Sequence, residues 1–283
     1  MKSKNRYEFP YSDIELANKV NEILSEYNVP LTLRQIYYRL VAVGLMNAQK
    51  VYSNLSGKLS RLREQGLVPW EDIVDLKRQP EKEPSWTNPE EFFGDVSQWY
   101  KRDLQQEQPK YIEVWCEKAV AIDHIINKYD VSLLAGGGYR SSSALYEASK
   151  RFKRQHKPVV ILYLGDFDPS GLDIERDTET RMQEIFGIEV DVQRVLLLPK
   201  DITEFRLLPS PVKPADPRTS AYIKKYHFQD VFELDALSPE IIAKKLEKAI
   251  CRNMNMKLYK IQLARWEEDK EEVAEFIEAW DTR

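Results

Sequence analysis

Residues 159–164, Val-Val-Ile-Leu-Tyr-Leu, are apolar without a break, and the run stops at Gly165-Asp166-Phe167-Asp168-Pro169-Ser170-Gly171. A half-buried strand alternates apolar and polar residues. A continuous run therefore predicts a strand covered on both faces, the condition met inside a parallel sheet flanked by helices. This segment commits its part of the chain to an α/β layered fold. It also delivers two acids, Asp166 and Asp168, to the C-terminal edge of the strand, where open α/β sheets bind their ligands.

The surrounding pattern supplies the rest of such a sheet. Beyond Lys110, the segments YIEVWCE (111–117), VSLLAG (131–136) and IEVDVQRVLLL (188–198) read as strands, and 118–128, 141–155 and 170–186 read as the helices between them. That alternation predicts a mostly parallel sheet with helices on its faces. Ser238-Pro239 then offers an N-cap followed by proline at the first helical position, ahead of Ile242, Leu246, Ala249 and Ile250. A last amphipathic helix carries Val273, Phe276, Ile277 and Trp280, and docking on the core is its expected role.

Glu117 ends its strand as Asp166 ends its own. If the two strands are neighbours, Glu117, Asp166 and Asp168 converge, and that much negative charge calls for a cation. Oxygen donors of this kind suit Mg²⁺. With 46 acidic residues in the chain, a D-x-D spacing is common by chance, and the position behind a buried strand is what gives it weight. The competing structural reading is that the two aspartates cap the following helix and tighten the turn. Two cysteines and three scattered histidines exclude a thiolate zinc site or a histidine-rich centre, so any metal would rest on carboxylates. The loop Gly136-Gly137-Gly138-Tyr139-Arg140 before a helix start could cradle a phosphate with Arg140 as a further contact, or be a plain turn.

The first eighty residues follow a different pattern. Ser12 with Glu15, and Thr32 with Gln35, are capping boxes that start two helices, and a third is predicted from about Gln49 to Glu64. Gly66 stops it, and LVPWEDIVDL (67–76) offers a short β-capable piece. Three helices and a small β element suit a winged-helix DNA-binding domain or, equally, a generic helical bundle. Pro80, Pro84 and Pro89 in a polar run mark an extended connector, and Pro209, Pro211, Pro214 and Pro217 a long surface loop. The expected organisation is a helical domain over 1–80, a linker and connecting helix over 81–109, an α/β domain over 110–237 and C-terminal helices over 238–283. The net charge of −4 hides an asymmetry: residues 1–70 carry ten Lys/Arg against six Asp/Glu, and residues 261–283 three against eight. Nucleic-acid contacts are therefore expected from Arg39, Lys58, Arg61 and Arg63, with Arg140.

Within the second helix, Leu33, Ile36, Tyr37, Leu40 and Val41 fall on one face and predict its buried stripe. Tyr38 is rotated about 100° from Tyr37 and is expected outside that stripe, on the face that carries Arg34. An arginine beside a phenol favours the phenolate and can hold a phosphate, as a tyrosine nucleophile attacking DNA would need. The plainer alternative is an exposed tyrosine stacking on a neighbour.

Taken in order, Arg34-x-x-Tyr37-Tyr38, EVWCEKA around Glu117, Asp166-x-Asp168-Pro-x-Gly171 and VFELDAL (231–237) resemble the A subunit of type IIB DNA topoisomerases (topoisomerase VI) and the related meiotic double-strand-break transesterase. Small stand-alone relatives, the Mini-A proteins, are similar in size, and the resemblance runs from about Leu31 to Leu237. It implies a winged-helix domain followed by a Toprim domain, with Tyr38 as the nucleophile that forms a 5′-phosphotyrosyl link to double-stranded DNA. It further implies Arg34 as its helper and Glu117, Asp166 and Asp168 as ligands of Mg²⁺, for which Mn²⁺ may substitute. A homodimer, in which the tyrosine of one chain meets the metal site of the other, belongs to the same implication. The chain has no ATPase signature, so ATP-driven strand passage would need a separate subunit. The alternatives are a Toprim nuclease that uses water, and a non-catalytic DNA-binding scaffold. No stretch approaches the roughly 20 apolar residues of a membrane helix and the start lacks a secretory signal, so a cytoplasmic protein is expected.

Overall fold

The computed structural model describes residues 9–74, 84–118, 120–212 and 216–281. Pro80 and Pro214 lie outside them, as does the side chain of Trp280. Helices α1 (Asp13–Ser25), α2 (Leu33–Ala42) and α3 (Gln49–Glu64) form the N-terminal part. Both capping boxes are present: Ser12 exchanges hydrogen bonds with Glu15, and Thr32 with Gln35. The three helices share a core of Leu16, Val20, Ile36, Leu40, Leu55 and Leu62. The β-capable piece after Gly66 makes an isolated bridge, Ile73 to Leu31, where a strand was expected.

Pro89 opens a helix, α4 (Pro89–Trp99), instead of lying in an extended connector; Asn88 caps it and proline takes its first turn. Then follow β1 (Tyr111–Cys116), α5 (Asp123–Tyr129), β2 (Ser132–Ala135), α6 (Ser142–Gln155), β3 (Val159–Leu164), α7 (Pro169–Phe186) and β4 (Val190–Arg194). The four strands form one parallel sheet in the order β2-β1-β3-β4. Every residue of β1 and β3 is buried. One face of β3 sends Val160, Leu162 and Leu164 into a core with Ile125 of α5. Ile161 and Tyr163 point the other way, to Leu145 and Phe152 of α6 and Ile174 and Met182 of α7. Both faces need apolar residues, which is why the run is continuous. The fold is thus mixed α/β with a parallel sheet among helices. None of the described helices is long and apolar enough to cross a membrane.

Two expected boundaries move. The helix predicted from Lys118 begins only at Asp123, so Glu117 and Lys118 stay in irregular chain at the sheet edge. The last predicted strand stops at Arg194, and Leu196 and Leu197 leave the sheet for the core.

The remaining elements are α8 (Pro199–Glu204), β5 (Ser210–Pro211), α9 (Thr219–Tyr226), β6 (Asp230–Val231), a 3-10 turn at Leu234–Ala236, α10 (Pro239–Asn253) and α11 (Met256–Asp281). Leu246 and Ile250 of α10 join the core that Val160 and Leu162 enter. Helix α11 lies against α4: Trp266 donates its indole N–H to the Tyr100 carbonyl, and Asp269 accepts from the Tyr100 hydroxyl and from Arg102. The N-terminal helices dock on the α/β part through α2. Arg39 donates to the carbonyls of Ala236 and Leu237, and Asn47 reaches Pro209 and Ser210.

Helix α7 starts so close to the strand end that a methyl group on Gly171 would meet the Asp166 carbonyl oxygen at 2.3 Å. Gly171→Ala must therefore push the acid-bearing turn away from the helix. The expected loss is about 1–3 kcal/mol, a few degrees in Tm, measured by thermal unfolding. An unchanged Tm would show that the turn yields freely.

Candidate active site

Strands β1 and β3 pair in register, Cys116 against Leu164, so the residues that follow them emerge side by side. Glu117 donates its backbone N–H to the Leu164 carbonyl at 2.9 Å, and its carboxylate accepts from the Asp166 N–H at 3.2 Å. Asp168 caps α7, accepting from the Gly171 N–H at 2.6 Å and the Ser170 hydroxyl at 3.0 Å. The structural role expected of such an aspartate is thus present for Asp168. Arg194 of β4 braces the turn by donating to the carbonyls of Gly165, Asp166 and Gly171.

A bridge between Phe167 and Phe232 brings the FELD segment alongside. Asp166 accepts from the Leu234 N–H at 2.7 Å through one oxygen, and its other oxygen lies 2.7 Å from the Lys118 ammonium. Lys118 also lies 3.0 Å from Glu233 and 3.6 Å from Asp235. Arg34 of α2 forms a close ion pair with Glu233 and lies 3.7 Å from Asp235. Acids from two loops and cations from two distant segments therefore make one cluster. It opens on a cleft of about 880 Å³ whose walls include Arg34, Tyr52, Arg63, Lys118, Asp166 and Asp168.

The charge states follow from these contacts. Burial raises the Glu117 pKa, and repulsion from Asp166 and Asp168 adds to the rise, so the three acids sense one another. Burial also raises Asp166, against the pull of Lys118. For Glu233, burial acts upward, but Lys118 and Arg34 outweigh it and hold the carboxyl below its ordinary value. Burial disfavours the Lys118 ammonium, yet Asp166, Asp235 and Glu233 keep it firmly protonated.

The donor type of Glu117, Asp166 and Asp168 fits a hard cation, and the mutual repulsion at Glu117 is the charge such an ion would relieve. Their arrangement is not a ready-made cage: among the described residues no three His, Cys, Asp or Glu side chains are gathered to hold a metal. Asp166 is engaged by Lys118 and Leu234, and Asp168 by its helix. An ion bound there would have to displace Lys118 from Asp166.

The tyrosine helix corrects the expectation for Tyr38. Tyr37 is buried as predicted, with its hydroxyl bound between Asn47 and Ala48, and Leu33 and Val41 are half-buried. Tyr38 was expected outside the buried stripe, and it is only 2% exposed. The reason is that Tyr38 joins the helical core beside Ile36 and Leu40, edge-on to Tyr37, and Ala236 of the α/β part packs against the same cluster, with Glu233 close enough to act on the phenol. Burial first, and Glu233 second, raise the phenol pKa well above its ordinary value, and Arg34 offsets only part of that rise. The Arg34 guanidinium lies 5.9 Å from the Tyr38 ring and 5.2 Å from that of Tyr52, the phenol that does line the cleft. The acid that acts on Tyr38 is thus Glu233 of its own chain.

Most of the expected DNA contacts are occupied within the protein. Arg140 is buried and spends its guanidinium on the carbonyls of Gly136, Cys116 and Leu134, which fastens the glycine loop and removes the phosphate contact expected there. Arg39 holds Tyr27 and the 3-10 turn, and Lys58 pairs with Asp13. Arg63 stacks on Trp70 and donates to the Trp70 and Ile73 carbonyls. Arg61 is exposed on α3. Sequence reasoning gave no role to Lys118, Tyr52, Glu233, Asp235 or Arg194. Lys118 adjoins Glu117, and Glu233 and Asp235 interrupt an apolar segment, which are the signals that pointed to them.

Neither models of known protein families nor curated protein sequences match this chain.

The raised Glu117 carboxyl gives a signed test. Its folded-state pKa lies above the unfolded value of 4.5, so the native state binds the proton more tightly and stability falls as pH rises through that interval. Glu117→Gln should therefore be more stable than wild type at pH 7, with the gain vanishing as pH falls toward 4. Thermal melts across pH measure it, and a variant less stable at pH 7 would contradict the charge assignment.

Proposed function

We propose that this chain cleaves DNA by Mg²⁺-dependent tyrosine transesterification, in the manner of a topoisomerase VI A subunit. The observation that carries the reading is one chain of contacts: α2 brings Arg34 and Tyr38 to Glu233, Glu233 contacts Lys118, and Lys118 contacts Asp166. Arg34 of the tyrosine motif and Asp166 and Asp168 of the carboxylate motif are far apart in sequence and line one cleft. That juxtaposition supports a common task and is not expected of an unrelated DNA-binding part and scaffold.

When bound, Mg²⁺ would be held by Glu117, Asp166 and Asp168 and would neutralise charge developing on the scissile phosphate. Arg34, once free of Glu233, would hold a phosphate oxygen beside the phenol. The Tyr38 oxygen attacks phosphorus and gives up its proton to solvent. The phosphorus to 3′-oxygen bond breaks, and that oxygen takes a proton to leave a 3′-hydroxyl. The product is a 5′-phosphotyrosyl link, which retains the energy for religation. Double-stranded DNA is the proposed substrate. A homodimer is the proposed active assembly, with ATP-driven strand passage left to a separate subunit.

The burial of Tyr38 favours a second reading, in which water attacks and the acids act as a hydrolytic Toprim nuclease site. Labelled DNA with Mg²⁺ or Mn²⁺ separates the two. Transesterification predicts a covalent protein–DNA adduct that Tyr38→Phe reduces on the order of a thousandfold or more. Hydrolysis predicts free 5′-phosphate ends, cutting that tolerates Tyr38→Phe, and loss of cutting in Asp166→Ala. An adduct that survives Tyr38→Phe would remove Tyr38 from the mechanism.

A further inference from the structure

We infer that Glu233 is a latch: it parks the tyrosine helix α2 on the α/β part, with Arg34 paired at the cleft wall and Tyr38 covered. The inference concerns regulation of the site proposed above, and its consequence for cleavage rests on that reading.

Of the α2 residues expected to meet DNA, Arg34 ends on one carboxylate, that of Glu233. Arg34 donates through Nε and Nη2 to a single Glu233 oxygen, which commits that edge of the guanidinium to a carboxylate in place of a phosphate. Tyr38 is closed off from solvent, and its ring lies 5.9 Å from the Arg34 guanidinium that Glu233 holds. The Arg34–Glu233 pair crosses between the helical and α/β parts, so one separation frees the arginine beside the phenol. Among the described residues, the ion pairs that cross from α2 are those of Arg34, to Glu233 and more distantly to Asp235. The hydrogen bonds that cross from Arg39 to two carbonyls and from Asn47 to Pro209 and Ser210 end on neutral acceptors. The electrostatic hold is thus concentrated at Glu233.

Lys118 ties the latch to the acids. It bridges Asp166 and Glu233, so the carboxylate that holds Arg34 is itself held to the acid-bearing turn. A carboxylate placed against the phenol also works against the phenolate that attack requires. The contact therefore suits a resting state and opposes chemistry. A protein able to cut DNA gains from keeping its nucleophile covered until the substrate phosphate competes for Arg34.

The test needs no DNA at first. Glu233→Gln keeps the shape of the side chain and removes its charge. Hydrogen exchange of residues 33–42 in the variant should be about tenfold faster than in wild type, while β1 and β3 keep their protection. Equal protection of α2 in the two proteins would overturn the latch. Should the variant fail to fold, wild type in rising NaCl gives the same answer: an ionic latch loosens with screening, and α2 protection indifferent to salt would overturn it. With DNA and Mg²⁺, Glu233→Gln should form trapped adduct several-fold faster. Slower adduct formation with unchanged exchange would mean that Glu233 serves the chemistry itself and is no latch. Faster exchange with no adduct from either protein would sink the cleavage reading and leave the latch standing.

Discussion

The ammonium of Lys118 sits within ion-pair distance of Asp166, Glu233 and Asp235, carboxylates that belong to two separate loops. Two like charges about 4 Å apart repel by about 4 kcal/mol at an effective dielectric near 20, so such a cluster closes on a cation or on a proton. Here the protein supplies that cation from the residue after β1. The turn after β3, the FELD segment and, through Glu233, the tyrosine helix all take their positions around it. Glu117 and Asp168 lie at the margin, and Glu117 responds with a raised pKa.

Legibility of the sequence followed the range of the interactions involved. Strand β3 was readable because burial on both faces is written in consecutive residues, and the two helix starts at Ser12 and Thr32 because a capping box spans only four. Glu117, Asp166 and Asp168 were readable as a group because each follows a strand whose register with its neighbour is fixed by the sheet. Lys118 and Glu233 are 115 residues apart, and no local pattern announces their contact. Arg194 gave no signal either, since its part is to hold backbone carbonyls.

Helix α2 marks where periodicity misleads. A helical wheel identifies the face turned to the helix's own core, and Ile36, Tyr37 and Leu40 lie there as read. It carries no information about a second surface met by another part of the chain. Arg39 falls on that surface, and Tyr38 is drawn into the helical core where Ala236 of the α/β part packs against it, so neither residue is free as the sequence suggests. The same holds for Arg140, where a cation beside glycines suggested a ligand contact and the nearest acceptors proved to be the loop's own carbonyls.

The seam between α4 and α11 has a mechanical meaning. Tyr100, Arg102, Trp266 and Asp269 fasten the segment entering the α/β part to the helix leaving it. A pull transmitted from the N-terminal helices along the backbone would load this clasp before it reached β1. The entry to β1 is thereby anchored on a helix outside the sheet, by contacts separate from those that α2 makes with the α/β part.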